Sequence, residues 1–277
     1  MLCSQQKKRL TFAGTNRPSI WYHTKEMTIT EAIIFISIGA IAGFMNTVAS
    51  SGSAITLPIM ILAGIDPLVA NGTNRLPIFV GFLTSVINYA KAGKIPWKKS
   101  FILAVPVAFG TAVGSILVGS LPKFYSELFI IIALVISLTL VLLNPKRFLI
   151  TQNLHEKEIT IWAILMCFVI GIWAGIIVLD TAIFILFFLV LMLKHELIQA
   201  NIIKSFLILV VGLISLCIFV YNGQVDWYVG ITLSIGSVIG SYIGSTFAMQ
   251  ESSRIWVFRI IKTILVLELG SLVVRAI

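Results

Sequence analysis

Long apolar runs alternate with short polar breaks along this chain, and charged residues fall almost entirely in the breaks. The runs occupy roughly 32–48, 54–65, 73–90, 100–120 and 128–143, then 160–178, 181–193, 203–221, 229–247 and 255–274. A helix that crosses a bilayer needs about 20 such residues. Most of the runs approach that length. Those at 54–65 and 181–193 do not, because at 1.5 Å per residue each reaches only about 18–20 Å. They read as half-helices, or as one arm of a hairpin with the run before. The pattern predicts an all-α integral membrane fold with about eight spanning helices plus short or re-entrant half-helices.

Composition agrees. Of 277 residues, 58% are hydrophobic and 11% charged, with a mean hydropathy of +1.05. Soluble domains carry about 25% charge, and a soluble fold of this length has too little interior to hide so much apolar surface. The spans leave no room for a soluble catalytic domain. Multi-pass insertion in the cell (inner) membrane is the expected location.

The two sets of runs resemble each other. A shift of 130 residues pairs Ala70-Asn71 with Ala200-Asn201, Gly93 with Gly223, and Trp97 with Trp227. The same shift pairs Gly110 with Gly240 and Gly114-Ser115 with Gly244-Ser245, without a gap. Charge then sets the orientation of the two copies. The loop 91–99 carries Lys91, Lys94, Lys98 and Lys99, whereas its partner 221–229 has no Lys or Arg. The positive-inside rule places the first in the cytoplasm and the second outside. Equivalent loops on opposite faces mean inverted repeats, of roughly 115–130 residues. The expected organisation is a basic tail at 1–27, a first repeat at 28–145, a cytoplasmic linker at 146–158 with Lys146, Arg147 and Lys157, and a second repeat at 159–277.

The net charge of +9 would suggest nucleic acid on a soluble protein. Here the cations sit mostly in loops and the tail, where they set topology, so no nucleic-acid partner is expected. Met27 is followed at once by the helix-start pattern Thr28-Ile-Thr30-Glu31 and reads as the physiological start, which would make the tail non-native. A signal-peptide reading with Ala32–Val48 as its apolar core is the alternative. Without the tail, a hairpin of 32–48 with 54–65 is compatible with an outside N-terminus. Cys3, Cys167 and Cys217 suggest neither a disulfide framework nor a metal site.

Three places can carry chemistry. The first is Asn46, Ser50, Ser51, Gly52 and Ser53, a polar small-residue break between two apolar runs. Irregular backbone at membrane depth survives only where it is buried in protein or lines a cavity. A half-helix starting near Ser53 would aim free N–H groups and its positive dipole end into that cavity, which suits an anion. The competing reading is a polar turn at the membrane surface. The second place is Asn71, Thr73, Asn74 and Arg75, with the repeat partners Asn201 and Lys204. Each half opens its third run with Ala-Asn and then places one cation about a turn later. Two such cations can converge on the pseudo-two-fold axis, Arg as a forked donor and Lys as a point charge. The bland alternative is interfacial snorkelling. The third place is Asp180, a candidate for carrying a coupling proton, pairing with Arg75 or Lys204, or capping the run that follows. Lys262 and Glu268 read as structural or interfacial. The pairs Gly39/Gly43, Gly110/Gly114, Gly171/Gly175 and Gly240/Gly244 read as close helix packing.

Enzyme signals are lacking. His23, His155 and His195 make no H-E-x-x-H, and neither G-x-S-x-G nor a Walker A pattern occurs. No catalytic residue, metal or cofactor is expected.

The order of these features resembles the sulfite exporter TauE/SafE family of anion permeases. The likeness lies in Gly43-x-x-Asn46, then Ser51-Gly52-Ser53 with Pro58, Gly64-Ile65-Asp66-Pro67, and Ala70-x-Gly72-Thr73-Asn74. It continues in Gly93-x-Ile95-x-Trp97, Gly110-x-x-x-Gly114, Gly171-x-x-x-Gly175 and Gly223-x-Val225-Asp226-Trp227. Ser50-Ser51-Gly52-Ser53 stands where family members often have more glycine. The resemblance implies about eight spanning helices in two related halves, and transport of sulfite, sulfonates or related organic anions. The expectation is thus a secondary active permease for small organosulfur or carboxylate anions, with proton coupling as an option. The alternatives are a passive anion channel, a scaffold without flux, or a metal-cation transporter. The expected partners are a small anion substrate and the lipid bilayer, with a homo-oligomer as an open alternative.

Overall fold

The computed structural model describes residues 28–117, 158–177 and 181–250, together with Trp256, Arg259 and Thr263. The tail 1–27, the run 128–143, the rest of the run 255–274, nearly all of the linker, Asp180, Lys262 and Glu268 lie outside the described residues.

Among the described residues the chain is helical, with no strand. The helices are α1 (Ile29–Ala49), α2 (Ser53–Leu62), α3 (Pro67–Lys91), α4 (Trp97–Leu117), α5 (Ile161–Ile176), α6 (Thr181–Phe187), α7 (Leu197–Tyr221) and α8 (Trp227–Ala248). A wider π-helical turn, Phe188–Met192, extends α6. Among the described residues four helices are long and apolar enough to cross a membrane: α1, α4, α7 and α8. α2 has 10 residues and rises only about 15 Å, half of a bilayer core of about 30 Å.

Local sequence explains where the helices begin and stop. Thr28 opens α1 with a capping box, in which Glu31 N–H donates to the Thr28 hydroxyl at 3.2 Å and Thr28 N–H to the Glu31 carboxylate at 2.9 Å. Asp66 caps α3 by accepting from Leu68 N–H at 2.9 Å, with Pro67 at the first helical position. α3 and α7 close alike. Gly93 (φ 66°) and Gly223 (φ 67°) take the left-handed conformation, so that Lys94 N–H reaches back to Tyr89 O and Gln224 N–H to Phe219 O. α3 and α7 each run 25 residues, and their boundaries match at the shift already seen in the sequence.

Each outer pair joins one helix from either half. α1 lies along α8, with Gly39 and Gly43 against the main chain of Leu233 and Ser237, and Gly236 and Gly240 against that of Ile36 and Ala40. α4 lies along α5 in the same way: Gly110 and Gly114 meet Phe168 and Ile172, and Gly171 and Gly175 meet Val107 and Thr111. At these eight glycines a Cβ would collide with backbone. Close backbone approach through small residues is how helices associate where lipid removes the hydrophobic drive.

α3 and α7 form the centre and run antiparallel. Phe79 meets Gly212, Arg75 lies over the Phe219 ring, and Lys204 over the Phe82 ring, so numbers rise along one helix as they fall along the other. The surface is the reverse of a soluble protein's. Ile41, Phe109, Val169 and Ile239 point outward, while Thr47, Ser85, Thr111, Ser115, Ser215 and Ser241 are buried. Only a lipid solvent makes that arrangement favourable.

Candidate functional site

α1 and α2 form a hairpin rather than one continuous span. Ser50 ends α1 in the left-handed conformation (φ 68°) and donates its N–H to Asn46 O at 3.2 Å. The chain then doubles back. Gly52 N–H donates to the Asn46 side chain at 2.9 Å, and a Cβ at Gly52 would strike Ala42 O and that same Asn46 amide. Further down, Met60 of α2 packs in a cluster with Phe35 of α1. The tip of the hairpin reaches the middle of α3, because Thr47 and Ser85 share a hydroxyl hydrogen bond at 3.0 Å.

One residue of α3, Asn74, pins the returning arm through two residues of α2. Asn74 donates from Nδ2 to Ser53 Oγ at 3.1 Å and accepts from Thr56 Oγ1 at 2.7 Å. Thr73 points elsewhere. Its hydroxyl accepts from Asp226 N–H at 2.9 Å and fixes the turn between α7 and α8.

Both cations are buried, each 0% exposed, and each reaches the end of the broken helix of the other half. Lys204 on α7 donates to Asn46 O at 3.3 Å, Thr47 O at 3.1 Å and Ser50 Oγ at 2.9 Å. Arg75 on α3 donates from Nη1 to Ala174 O at 2.7 Å and Ser215 Oγ at 3.5 Å. Its Nη2 donates to Asn71 Oδ1 at 3.3 Å and Gly175 O at 3.4 Å. The acceptors correspond. Gly43 packs on Ser237 as Gly171 packs on Val107, which matches Asn46 and Thr47 to Ala174 and Gly175.

The electrostatic logic is that of a helix C-terminus. Its last carbonyls lack intrahelical partners and carry roughly half a negative charge. A cation placed there satisfies the carbonyls and recovers part of its own desolvation cost. The ring faces of Phe219 at 5.2 Å from Arg75 Cζ and Phe82 at 5.7 Å from Lys204 Nζ add cation–π attraction. No acidic side chain among the described residues pairs with either cation.

The cations do not converge on the axis, which corrects the expectation from their repeat positions. Arg75 faces Ser215 and Lys204 faces Phe82. The seven residues from 75 to 82 rise about 10 Å along α3. Both cations stand near the start of their helices, and in an antiparallel pair such positions are carried toward opposite ends. Each break therefore has its own cation.

The surroundings differ in how fully their polar groups are used. Asn71 donates from Nδ2 to Ile176 O at 3.2 Å and accepts from Arg75, so both ends of its amide are engaged. Its repeat partner Asn201 is 3% exposed, yet among the described residues neither Oδ1 nor Nδ2 has a partner. Ser51 Oγ and Arg75 Nε are likewise buried without a partner.

Sequence reasoning missed Thr47, Thr56, Ser85, Ser115 and Ser215, all of them buried. Ser115 Oγ donates to Gly175 O at 3.3 Å and so joins the second break. A signal existed for one pair, since Ser85 and Ser215 match at the repeat shift. Ser115 also recurs, as Ser245 at the same shift, whereas Thr47 and Thr56 are single hydroxyls in apolar helices and carry no pattern.

The chain resembles known proteins along nearly its whole length. It is 26% identical over 244 residues to a probable membrane transporter protein, ORF9, of Sinorhizobium sp, covering 88% of this chain and 91% of that one. It is 23% identical to a probable membrane transporter protein of Haemophilus influenzae, over 81% of this chain and 87% of the other. The probable membrane transporter protein YfcA of Escherichia coli is 20% identical, over 80% and 82% respectively. No solved structure matches. Residues 35–272 match the sulfite exporter TauE/SafE family, a span that takes in both helix breaks and both cations, and the chain belongs to that family of membrane transporters.

Proposed function

We propose that this transporter is a secondary active permease that carries small anions across the cell (inner) membrane, with sulfite, sulfonates and related organosulfur or carboxylate anions as the substrate class. The observation that carries the reading is the pair of fully buried cations, Arg75 and Lys204, whose hydrogen-bond partners are carbonyls, hydroxyls and one amide, with no carboxylate among the described residues. Intramembrane charge is costly and marks substrate or ion pathways. Helix-end carbonyls offset roughly half a charge each, so both breaks keep a net attraction for an anion. Placement at broken helices near the repeat interface is where transporters of inverted-repeat design bind their cargo. The family's description as sulfite exporters agrees with an oxyanion of sulfur. Coupling to protons through Asp180 completes the proposal.

Flux of labelled anions into proteoliposomes tests it. The expected result is saturable uptake of sulfite or a sulfonate with counterflow, reduced by Arg75→Ala and by Lys204→Ala. Counterflow separates a carrier from a passive channel. Unchanged flux in both variants would sink the assignment to these cations.

A further inference from the structure

The two breaks are built alike but are not chemically equivalent. At the second break Asn71 and Arg75 use each other and the carbonyls of Ala174, Gly175 and Ile176. At the first break α1 continues one residue past the position that ends α5, and Ser50 turns it through the left-handed conformation. Asn71 is engaged by Ile176 O, but Asn201 makes no such bond to the end of α1. Asn201 keeps a buried amide with a free donor and a free acceptor, one helical turn from Lys204. Ser51 keeps a buried free hydroxyl at the hairpin tip. Ser50 accepts from Lys204, which leaves its own hydroxyl proton available to donate.

Leaving a buried amide unsatisfied costs about 1–3 kcal/mol. A fold keeps such a group where a ligand completes it, which is the usual trade of stability for function. We propose that the transported anion binds at the first break, held by Asn201, Ser51, the Ser50 hydroxyl and the charge of Lys204, and that Arg75 is a positioning residue that holds the end of α5. This inference rests on the anion-transport reading and deepens it. All three Lys204 protons already have acceptors, so Lys204 attracts by charge while the hydroxyls and the amide shape the contact.

The chemistry narrows the ligand. One cation at the site favours a monoanion. An amide that offers both a donor and an acceptor is completed by a ligand that brings both as well. A singly protonated oxyanion such as hydrogen sulfite does so. Methanesulfonate, with the same charge and acceptors only, leaves Asn201 Oδ1 unpaired, and sites built to pair a ligand O–H discriminate strongly against analogues that lack it.

The test uses the full-length protein in detergent, with thermal unfolding measured against sulfite, at a pH where hydrogen sulfite predominates, and against methanesulfonate. Ligand stabilisation follows affinity through linkage. Sulfite is expected to stabilise the wild type well above methanesulfonate. Asn201→Leu and Ser51→Ala are expected to weaken sulfite binding about tenfold or more, while the unliganded Tm stays level or rises because an unpaired polar group has gone. Arg75→Lys is expected to lower the unliganded Tm and to weaken sulfite binding far less than Asn201→Leu does. Wild-type binding that survives both Asn201→Leu and Ser51→Ala removes the assignment to the first break alone. Loss of binding in Arg75→Lys at an unchanged Tm moves the site to the second break and overturns the inference. If neither anion binds the wild type, the transport reading falls and the assignment falls with it.

Discussion

The ammonium of Lys204 donates to the main-chain oxygen of Thr47 at 3.1 Å, across 157 positions of chain. The long central helix of one half thereby holds the end of the broken helix of the other. Lys204→Met removes the donor and keeps much of the volume. The buried Thr47 carbonyl and Ser50 hydroxyl then lose this donor, while Asn46 O keeps its bond from Ser50 N–H. The expected loss is about 1–3 kcal/mol for each polar group left unsatisfied, read as a lower Tm in detergent together with lost anion flux. A variant as stable as the wild type would mean that the carbonyls are hydrated and the cap is not structural.

Asn74 ties the returning arm of the hairpin to α3 through Ser53 and Thr56. Thr56→Val is nearly isosteric and deprives Asn74 Oδ1 of its donor. The expected cost is again about 1–3 kcal/mol. It is to be measured by thermal unfolding, and Thr56→Ser, which keeps the hydroxyl, is expected to restore most of it. If valine and serine behave alike, the hydrogen bond contributes nothing.

Helix spacing in the outer pairs depends on glycine. Gly240 of α8 lies against Ala40 and Phe44 of α1, and Gly110 of α4 lies against Phe168 and Ile172 of α5. Gly240→Ala and Gly110→Ala each put a methyl group into backbone, and overpacking of this kind costs about 1–3 kcal/mol. Gly64 has nothing within 4 Å but sits at φ +90°. Gly64→Ala therefore tests backbone strain alone, at about 1 kcal/mol. The expected order of Tm loss places the two packing glycines above Gly64. Equal losses at all three would show that contact with the partner helix is not what these glycines serve.

The α3–α7 crossing can be read by chemistry. A Cβ at Gly212 would lie 3.3 Å from that of Phe79, close to the usual separation in a disulfide of about 3.5–4.5 Å. In a background without Cys3, Cys167 and Cys217, the double variant Phe79→Cys, Gly212→Cys is expected to form an intramolecular disulfide under mild oxidation. Intact mass before and after reduction detects it. A pair that stays reduced under oxidant would contradict the close contact of the central helices at Phe79 and Gly212.

The run pattern alone specified the solvent, the helices among the described residues to within the short segments, and the position of the breaks. Those properties follow from transfer energies and from residues such as Gly93 and Gly223, whose effects are local. The repeat was legible because Asn, Trp and Gly recur at one shift, and the small-residue pairs announced close packing. Which helices those glycines join was not legible. α1 meets α8 and α4 meets α5 only because the halves interlock, and interlocking is a property of the assembled bundle. The cations were visible as Arg75 and Lys204, but not their partners. These are main-chain carbonyls about 100 and 157 positions away, and a carbonyl leaves no mark in a sequence. Their separation along the antiparallel pair, and the contrast between a satisfied Asn71 and an unsatisfied Asn201, arose only in three dimensions. Which polar groups find partners depends on how helix ends from different halves meet, and that is a matter of tertiary geometry.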